Sequence, residues 1–461
     1  MKKLGSFLLC AALVATPVIA MDHQDVSAKG KTVTVKANGK DKKDDTKAIQ
    51  SALDKVKKGG TVKIPKGTYY VKCIFIRRNC TLKLSKKTVL KKLKDKKLPR
   101  ASMIECHLKK KRYGSFSKVT ITGGTLDGQM HKDNKKNAHM AIDIDHGSNL
   151  TIKNMTIKNF SGLHMIQVAG VKNATFDHLT FKNQYLYNDY SGKSFYKGAK
   201  NWSAYTCEAL QFDTTNKGQS SAIPADNTTC QNIKVTNCKF DHVLSGLGTH
   251  HNETKYYKYM HKNVTATNNT FTNIRGDAMH LNNIKNVTTT NNKGTSGNIF
   301  TTYYHSFNVK DSDNVSKKFY VGIQTDQKTT ATFDHNQYLE TPNVDNTKHA
   351  TTATFSTISS NVTLSNSTIV GRPHLVVFVG SASGFKMTGC TLDGVTNNSL
   401  YGMSAKSDEN TVIDGNTVNG QGSWGIVAHG GNYTVQNNTF NGWKIWFGSG
   451  ANANQVNNTF N

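Results

Sequence analysis

The chain has 461 residues, and its 59 lysines and arginines against 30 aspartates and glutamates give a formal charge of +29. A field of that sign gathers polyanions, whether acidic polysaccharide, wall polymer, nucleic acid or anionic membrane, and it carries no information about fold. No C-x-x-C occurs, which removes zinc-ribbon and thioredoxin-type sites, and no apolar run beyond the first twenty residues approaches membrane length.

Lys2 and Lys3 precede an apolar run from Leu4 to Ile19, and Ala20 or Ala28 can close a small-residue cleavage site. This pattern predicts a secretory signal over 1–28 and an extracellular protein without a membrane span. Cys10 is a poor lipidation site because Leu9 is too large before it. Removing Cys10 from the eight cysteines leaves seven, so they cannot all pair within the chain. Cys207, Cys230 and Cys238 cluster, and they are expected as small buried residues, with one disulfide as the alternative.

After a strand at Lys31–Val35, Asp44 or Asp45 can cap a helix whose apolar residues Ala48, Ile49, Ala52, Leu53 and Val56 share one face. Gly59 and Gly60 end it, and Thr61–Ile64, Pro65–Gly67 and Thr68–Val71 read as strand, turn and strand. These residues, Asp-Asp-Thr-x-Ala-Ile-Gln-x-Ala-Leu followed by Gly-Gly-Thr-Val-x-Ile-Pro-x-Gly-Thr-Tyr, resemble the amino-terminal cap of the pectate-lyase-like superfamily. The resemblance covers residues 31 to 71. It implies a single-stranded right-handed parallel β-helix, all-β apart from the capping helix, and a family of polygalacturonase-type hydrolases, polysaccharide lyases, epimerases and phage depolymerases.

The rest of the chain points to a solenoid by itself. Segments such as Asn149–Ile157, Asn173–Phe181, Ile233–Phe240, Val264–Phe271, Val362–Ile369, Phe385–Leu392, Thr411–Val418 and Tyr433–Phe440 share one alternating pattern. Their aligned starts lie 22 to 26 residues apart, as from Thr411 to Tyr433 and from Phe385 to Thr411. Asn at the junctions suits left-handed corners and can stack along the axis. Residues 29–461 are therefore expected to form one domain, with insertions near 184–205 and 294–357. The first insertion is rich in aromatic residues, Trp202 and Tyr205 among them, that can stack on sugar faces. The second reads either as extra rungs or as a loop. The basic stretch Lys86–Arg112 reads as a solvated early rung and loop, with a contact for an anionic polymer as the alternative.

Aligning the strand before each Asn-containing run turns Ile142, Ile144, Ile166, Val168, Leu210, Phe212, Met279 and Leu281 inward. The alternate residues then face out as a column on five successive rungs: Asp143 and Asp145, Gln167, Gln211 and Asp213, His250, and His280. At about 4.8 Å per rung, Asp143 or Asp145 sits roughly 10 Å from Asp213. That is the wide end of the about 6.5 to 9.5 Å separation used by inverting glycosidases. The expected catalytic set is thus Asp143, Asp145, Asp213, His250 and His280. Gln167, Glu208, Gln211, Arg275, Trp202 and Tyr205 are expected to hold substrate, with Glu208 either opening its strand or facing a loop. His146, His164, His178 and His242 read as structural.

Polygalacturonases carry Asn-Thr-Asp-Gly, Asp-Asp, Gly-His-Gly and Arg-Ile-Lys segments on neighbouring rungs. Here Glu208–Asp213 falls at a similar place in order and Gly246–His250 resembles the glycine-histidine segment, but Arg275 lacks the following lysine and no Asp-Asp pair occurs among these rungs. No cofactor is required by this set, although Asp143, Asp145 and Asp213 offer oxygen ligands of the kind Ca²⁺ takes, as in some lyases of the superfamily. The expected function is cleavage of a polyanionic polysaccharide, by hydrolysis ahead of β-elimination. The rival is a non-catalytic cell-surface adhesin binding wall polymer or glycan. Nucleic acid is not an expected partner, because no recognised binding motif is present.

Overall fold

The fold is that of a computed structural model describing residues 30–93, 102–108, 110–129, 140–161, 164–185, 207–216, 224–250, 257–326, 328–339, 353–370, 375–394, 401–407, 410–420 and 424–461. It is a right-handed parallel β-helix, with one 29-stranded and one 14-stranded parallel sheet. A representative rung gives Glu208–Asp213 to the smaller sheet, then Gln231–Thr236 and Lys239–Asp241 to the larger one. The next rung repeats the order with Ser245–Thr249, His261–Thr267 and Thr270–Thr272.

The alternation that makes these strands also makes the core. Ile233, Val235 and Phe240 are fully or almost fully buried, and each is in register with its counterpart Val264, Ala266 and Phe271 on the next rung. Phe181, Phe240 and Phe271 stack with ring centroids 4.8 Å apart, the same distance as the rise between hydrogen-bonded strands. Each such ring contributes about 1.5–3 kcal/mol by leaving water.

Asparagine turns the corners, as the sequence suggests. Asn173, Asn232, Asn263, Asn286 and Asn308 all have φ between 54° and 65°, a region that Asn tolerates better than most residues. Their side-chain amides bond in series along the axis at 2.8, 2.7, 2.8 and 3.0 Å. A second, buried series joins Asn269, Asn292 and Asn314.

The helix Thr46–Lys55 covers the first rung through Ile49, Ala52 and Leu53. Asp44 serves its amino end by accepting from the Thr46 N–H at 3.0 Å. Asp45, at the cap position, turns away and accepts instead from the Tyr70 N–H at 3.0 Å. The described part of 294–357 consists of rungs, among them Gly297–Tyr304, Phe319–Asp326 and Phe355–Thr357 of the smaller sheet. All seven cysteines from Cys73 to Cys390 are free and buried, so the Cys207, Cys230, Cys238 cluster holds no disulfide. No helix among the described residues is long and apolar enough to cross a membrane.

Candidate functional site

The outward face of the 14-stranded sheet carries the column expected from the alternation. Asp143 pairs in register with Gln167, Gln167 with Gln211, Gln211 with Gly248, and Gly248 with His280. Two residues further along each strand, Asp145 aligns with Ala169, and Ala169 with Asp213. His250 follows one rung later, its N–H donating to the Phe212 carbonyl at 2.8 Å. Asp145 and Asp213 are therefore two rungs apart, about 10 Å along the axis.

Glu208 opens its strand and is fully buried on this face. Its Oε1 lies 3.0 Å from His250 Nε2, and its Oε2 lies 3.2 Å from His164 Nδ1, close enough for an ion pair though outside hydrogen-bond alignment. Gly248 makes room for this arrangement. A Cβ there would stand 2.3 Å from Glu208 Cγ. Burial opposes ionisation of Glu208, but the charge of His250 and the contacts of both imidazoles hold its carboxyl well below the usual range.

Asp213 behaves in the opposite way. Burial pushes its carboxyl up to about 7, against the pull of His250 and of the Thr214 N–H, and with the help of the Glu208 charge. Thr214 N–H donates to Oδ1 at 2.6 Å and Gln211 Nε2 donates to Oδ2 at 3.1 Å. His261 stands behind His250, donating from Nε2 to the His250 carbonyl at 2.6 Å and accepting at Nδ1 from the Cys230 N–H at 3.0 Å. Burial lowers its pKa to about 4, which matches a neutral ring that both donates and accepts.

A second cluster lies at the amino-terminal end of the column. His107 Nδ1 meets Asp145 Oδ2, while its Nε2 lies 3.4 Å from Asp143 and 3.9 Å from Glu105. Burial disfavours its charge, but the hydrogen bonds and charges of Asp143 and Asp145 win and raise it to about 10. Asp145 also accepts from His146 Nδ1 at 2.9 Å, and His146 Nε2 reaches Asp226 at 3.1 Å. Burial opposes the Asp145 charge, and the two imidazoles more than restore it. His107 thus engages oxygens of both Asp143 and Asp145, two of the three acids that the sequence offers as cation ligands. Among the described residues no group of three or more His, Cys, Asp or Glu is arranged to hold a metal ion.

His280 stands apart. It pairs with Asp277 at 3.0 Å, and Asp277 also accepts from Thr302 at 2.8 Å. Arg275 is half-buried at the turn before that strand, and among the described residues its guanidinium makes no hydrogen bond or ion pair. Trp202 and Tyr205 lie outside the described residues.

Strand alternation alone marks His164 and His146 as structural and gives no role to His107. Rung alignment contains the signal for all three. His164 precedes Ile166 by the same two residues by which Glu208 precedes Leu210, and His107 follows Ile104 as Asp145 follows Ile142. The rung Ile104–Cys106 is short and follows a lysine-rich stretch, which hid its pattern.

No family model matches the chain. Over 256 residues, 50% of this chain, it is 28% identical to the plasmin and fibronectin-binding protein A of Streptococcus pneumoniae (strain ATCC BAA-255 / R6), and the match spans 34% of that relative's length. Among solved structures it resembles the Streptococcus pneumoniae surface protein and adhesin PfbA, with a TM-score of 0.54 and 17% identity over 93% of this chain and 97% of that one. It also resembles an N-terminal fragment of bacteriophage Phi29 gene product 12, with a TM-score of 0.57 and 14% identity over 95% of this chain and 71% of that one. At these identities the likeness to the solved structures is one of fold.

Proposed function

We propose that this chain is an extracellular adhesin-type β-helix of the pectate-lyase-like superfamily that binds an anionic glycan on a cell or matrix surface. The observation that carries the reading is the 28% identity over 256 residues with plasmin and fibronectin-binding protein A. Two features of the chain support it. The formal charge of +29 suits a polyanionic partner. Several acids on and beside the outward column are also internally matched, Asp145 by His107 and His146, Glu208 by His164 and His250, and Asp277 by His280. Such matching gives a stiff, preorganised polar face, which lowers the ordering cost of binding.

A second reading, hydrolysis of an acidic polysaccharide, is favoured by one observation. Asp213 is held near neutral pKa while Glu208 and Asp145 are held ionised, a separation of roles that acid–base catalysis uses. In that reading Asp213 protonates the leaving oxygen and the Asp145 carboxylate, two rungs away, activates water. Asp145 would have to act while bonded to both His107 and His146, which weakens it as a base.

The experiment is a binding titration on immobilised fibronectin, plasmin and polygalacturonate, with reducing ends and unsaturated products followed in the same samples. Saturable retention without new ends supports the adhesin. New reducing ends that vanish in Asp213→Asn establish the hydrolase.

A further inference from the structure

A different face of the solenoid carries a feature that the column above does not use. At the first outward position of the larger sheet, Lys172, Gln231, Lys262, Lys285 and Phe307 are in register on five successive rungs. Four steps of about 4.8 Å make a straight track of about 19 Å along the axis. Lys262 and Lys285 are exposed, and among the described residues neither forms an ion pair. Three residues along the same strands, Lys234 and Lys310 occupy the register otherwise filled by Thr265 and Thr288. Neither of these two rows contains an acidic residue over these rungs.

Aromatic rings bracket the track. At its start the Lys172 ammonium lies 5.0 Å from the centre of the Tyr113 ring. At its end Phe307 and Tyr257 have centroids 5.7 Å apart, and Lys328 lies 5.7 Å from the centre of the Tyr257 ring. Phe307 and Lys328 also line a groove of about 520 Å³. Between the two ends the bonded Asn173–Asn308 series runs immediately beside the lysines and fixes their spacing.

We propose that this track binds a linear acidic polysaccharide laid parallel to the solenoid axis. Its carboxylates would meet Lys262 and Lys285, and its sugar faces would meet Tyr257 and Phe307. The charge row selects a polyanion, and the rings at its ends select one with flat apolar sugar faces over a duplex nucleic acid, whose bases are stacked away from contact. The inference rests on the glycan-binding reading and gives it a surface distinct from the histidine-carboxylate column.

The test uses the whole chain with polygalacturonate, its fully methyl-esterified form, and duplex DNA as probes. Lys262→Glu with Lys285→Glu should weaken polygalacturonate binding at least about tenfold, and the same reversal at Lys63 and Lys83, elsewhere on the same sheet, by less than about twofold. Tyr257→Ala should weaken polygalacturonate and leave DNA unchanged, and the esterified polymer should bind poorly. Equal losses from both lysine pairs, or undiminished binding of the esterified polymer, would overturn the track. DNA binding tighter than polygalacturonate would overturn the partner. Failure of the wild-type chain to bind polygalacturonate while it retains fibronectin would overturn the track and the glycan partner and leave an adhesin for a protein ligand, and failure on every surface would remove both readings.

Discussion

Glu208 and Gly248 face each other across adjacent rungs, and the Glu208 side chain fills the space that any Cβ at position 248 would need, with Cγ 2.3 Å from that point. The glycine is the condition for the carboxylate to lie between His164 and His250. Gly248→Ala should therefore push Glu208 aside and destabilise the chain by about 1–3 kcal/mol, the usual cost of overpacking. Thermal unfolding checks this, and an unchanged midpoint would show that Glu208 can move at no cost.

Removing the charge from Glu208 has a larger expected effect. Glu208→Gln leaves His164 and His250 beside a buried neutral amide, and losing one partner of a buried ion pair costs about 3–5 kcal/mol. Urea unfolding should report a loss of this size at pH 6. His164→Ala in the same assay should give a smaller loss, because His250 stays in place.

The two carboxyl groups on this strand predict opposite pH limbs. Burial raises the folded pKa of Asp213 to about 7, from 3.8 for an ordinary exposed aspartate. Its favourable contribution is complete below the unfolded value and is lost as pH rises through 7. Glu208 is lowered, so its contribution is present above its unfolded value of 4.5 and is lost as pH falls below that. Asp213→Asn should flatten the loss of stability between about pH 4 and 7 and leave the Glu208 acid limb in place. The gain at pH 8 should be on the order of a few kcal/mol.

The corner series gives a prediction independent of the site. Asn263 has φ 57°, donates to Asn232 at 2.7 Å and accepts from Asn286 at 2.8 Å. Asn263→Ala should cost about 1–3 kcal/mol through left-handed strain and two lost bonds. Asn263→Gly should recover the strain component only. Equal losses in the two variants would mean that the bonds, and not the backbone, carry the corner.

The fold was legible because period-two alternation and corner asparagines recur wherever a rung is complete. The inward turn of Ile142, Ile166, Leu210 and Met279 fixed the outward faces of Asp143, Gln167, Gln211 and His280 with no further information. The pairing of charges was less legible, because it depends on residues at strand edges. Glu208 sits two positions before the first inward leucine of its strand, where the chain is still turning, so alternation alone does not say which way it points. His107 and His164 reach their partners across rungs separated by 38 and 44 positions in sequence, His107 to Asp145 and His164 to Glu208. Only the register brings those positions together.

The most direct test of the central claim is isothermal titration of the purified chain with polygalacturonate, with reducing ends counted in the same cell after equilibrium. The account predicts saturable binding that salt weakens, with no reducing ends above the protein-free control. A steady rise in reducing ends that is lost in Asp213→Asn and kept in Lys262→Glu would contradict it, and would make the outward column of the 14-stranded sheet a catalytic site.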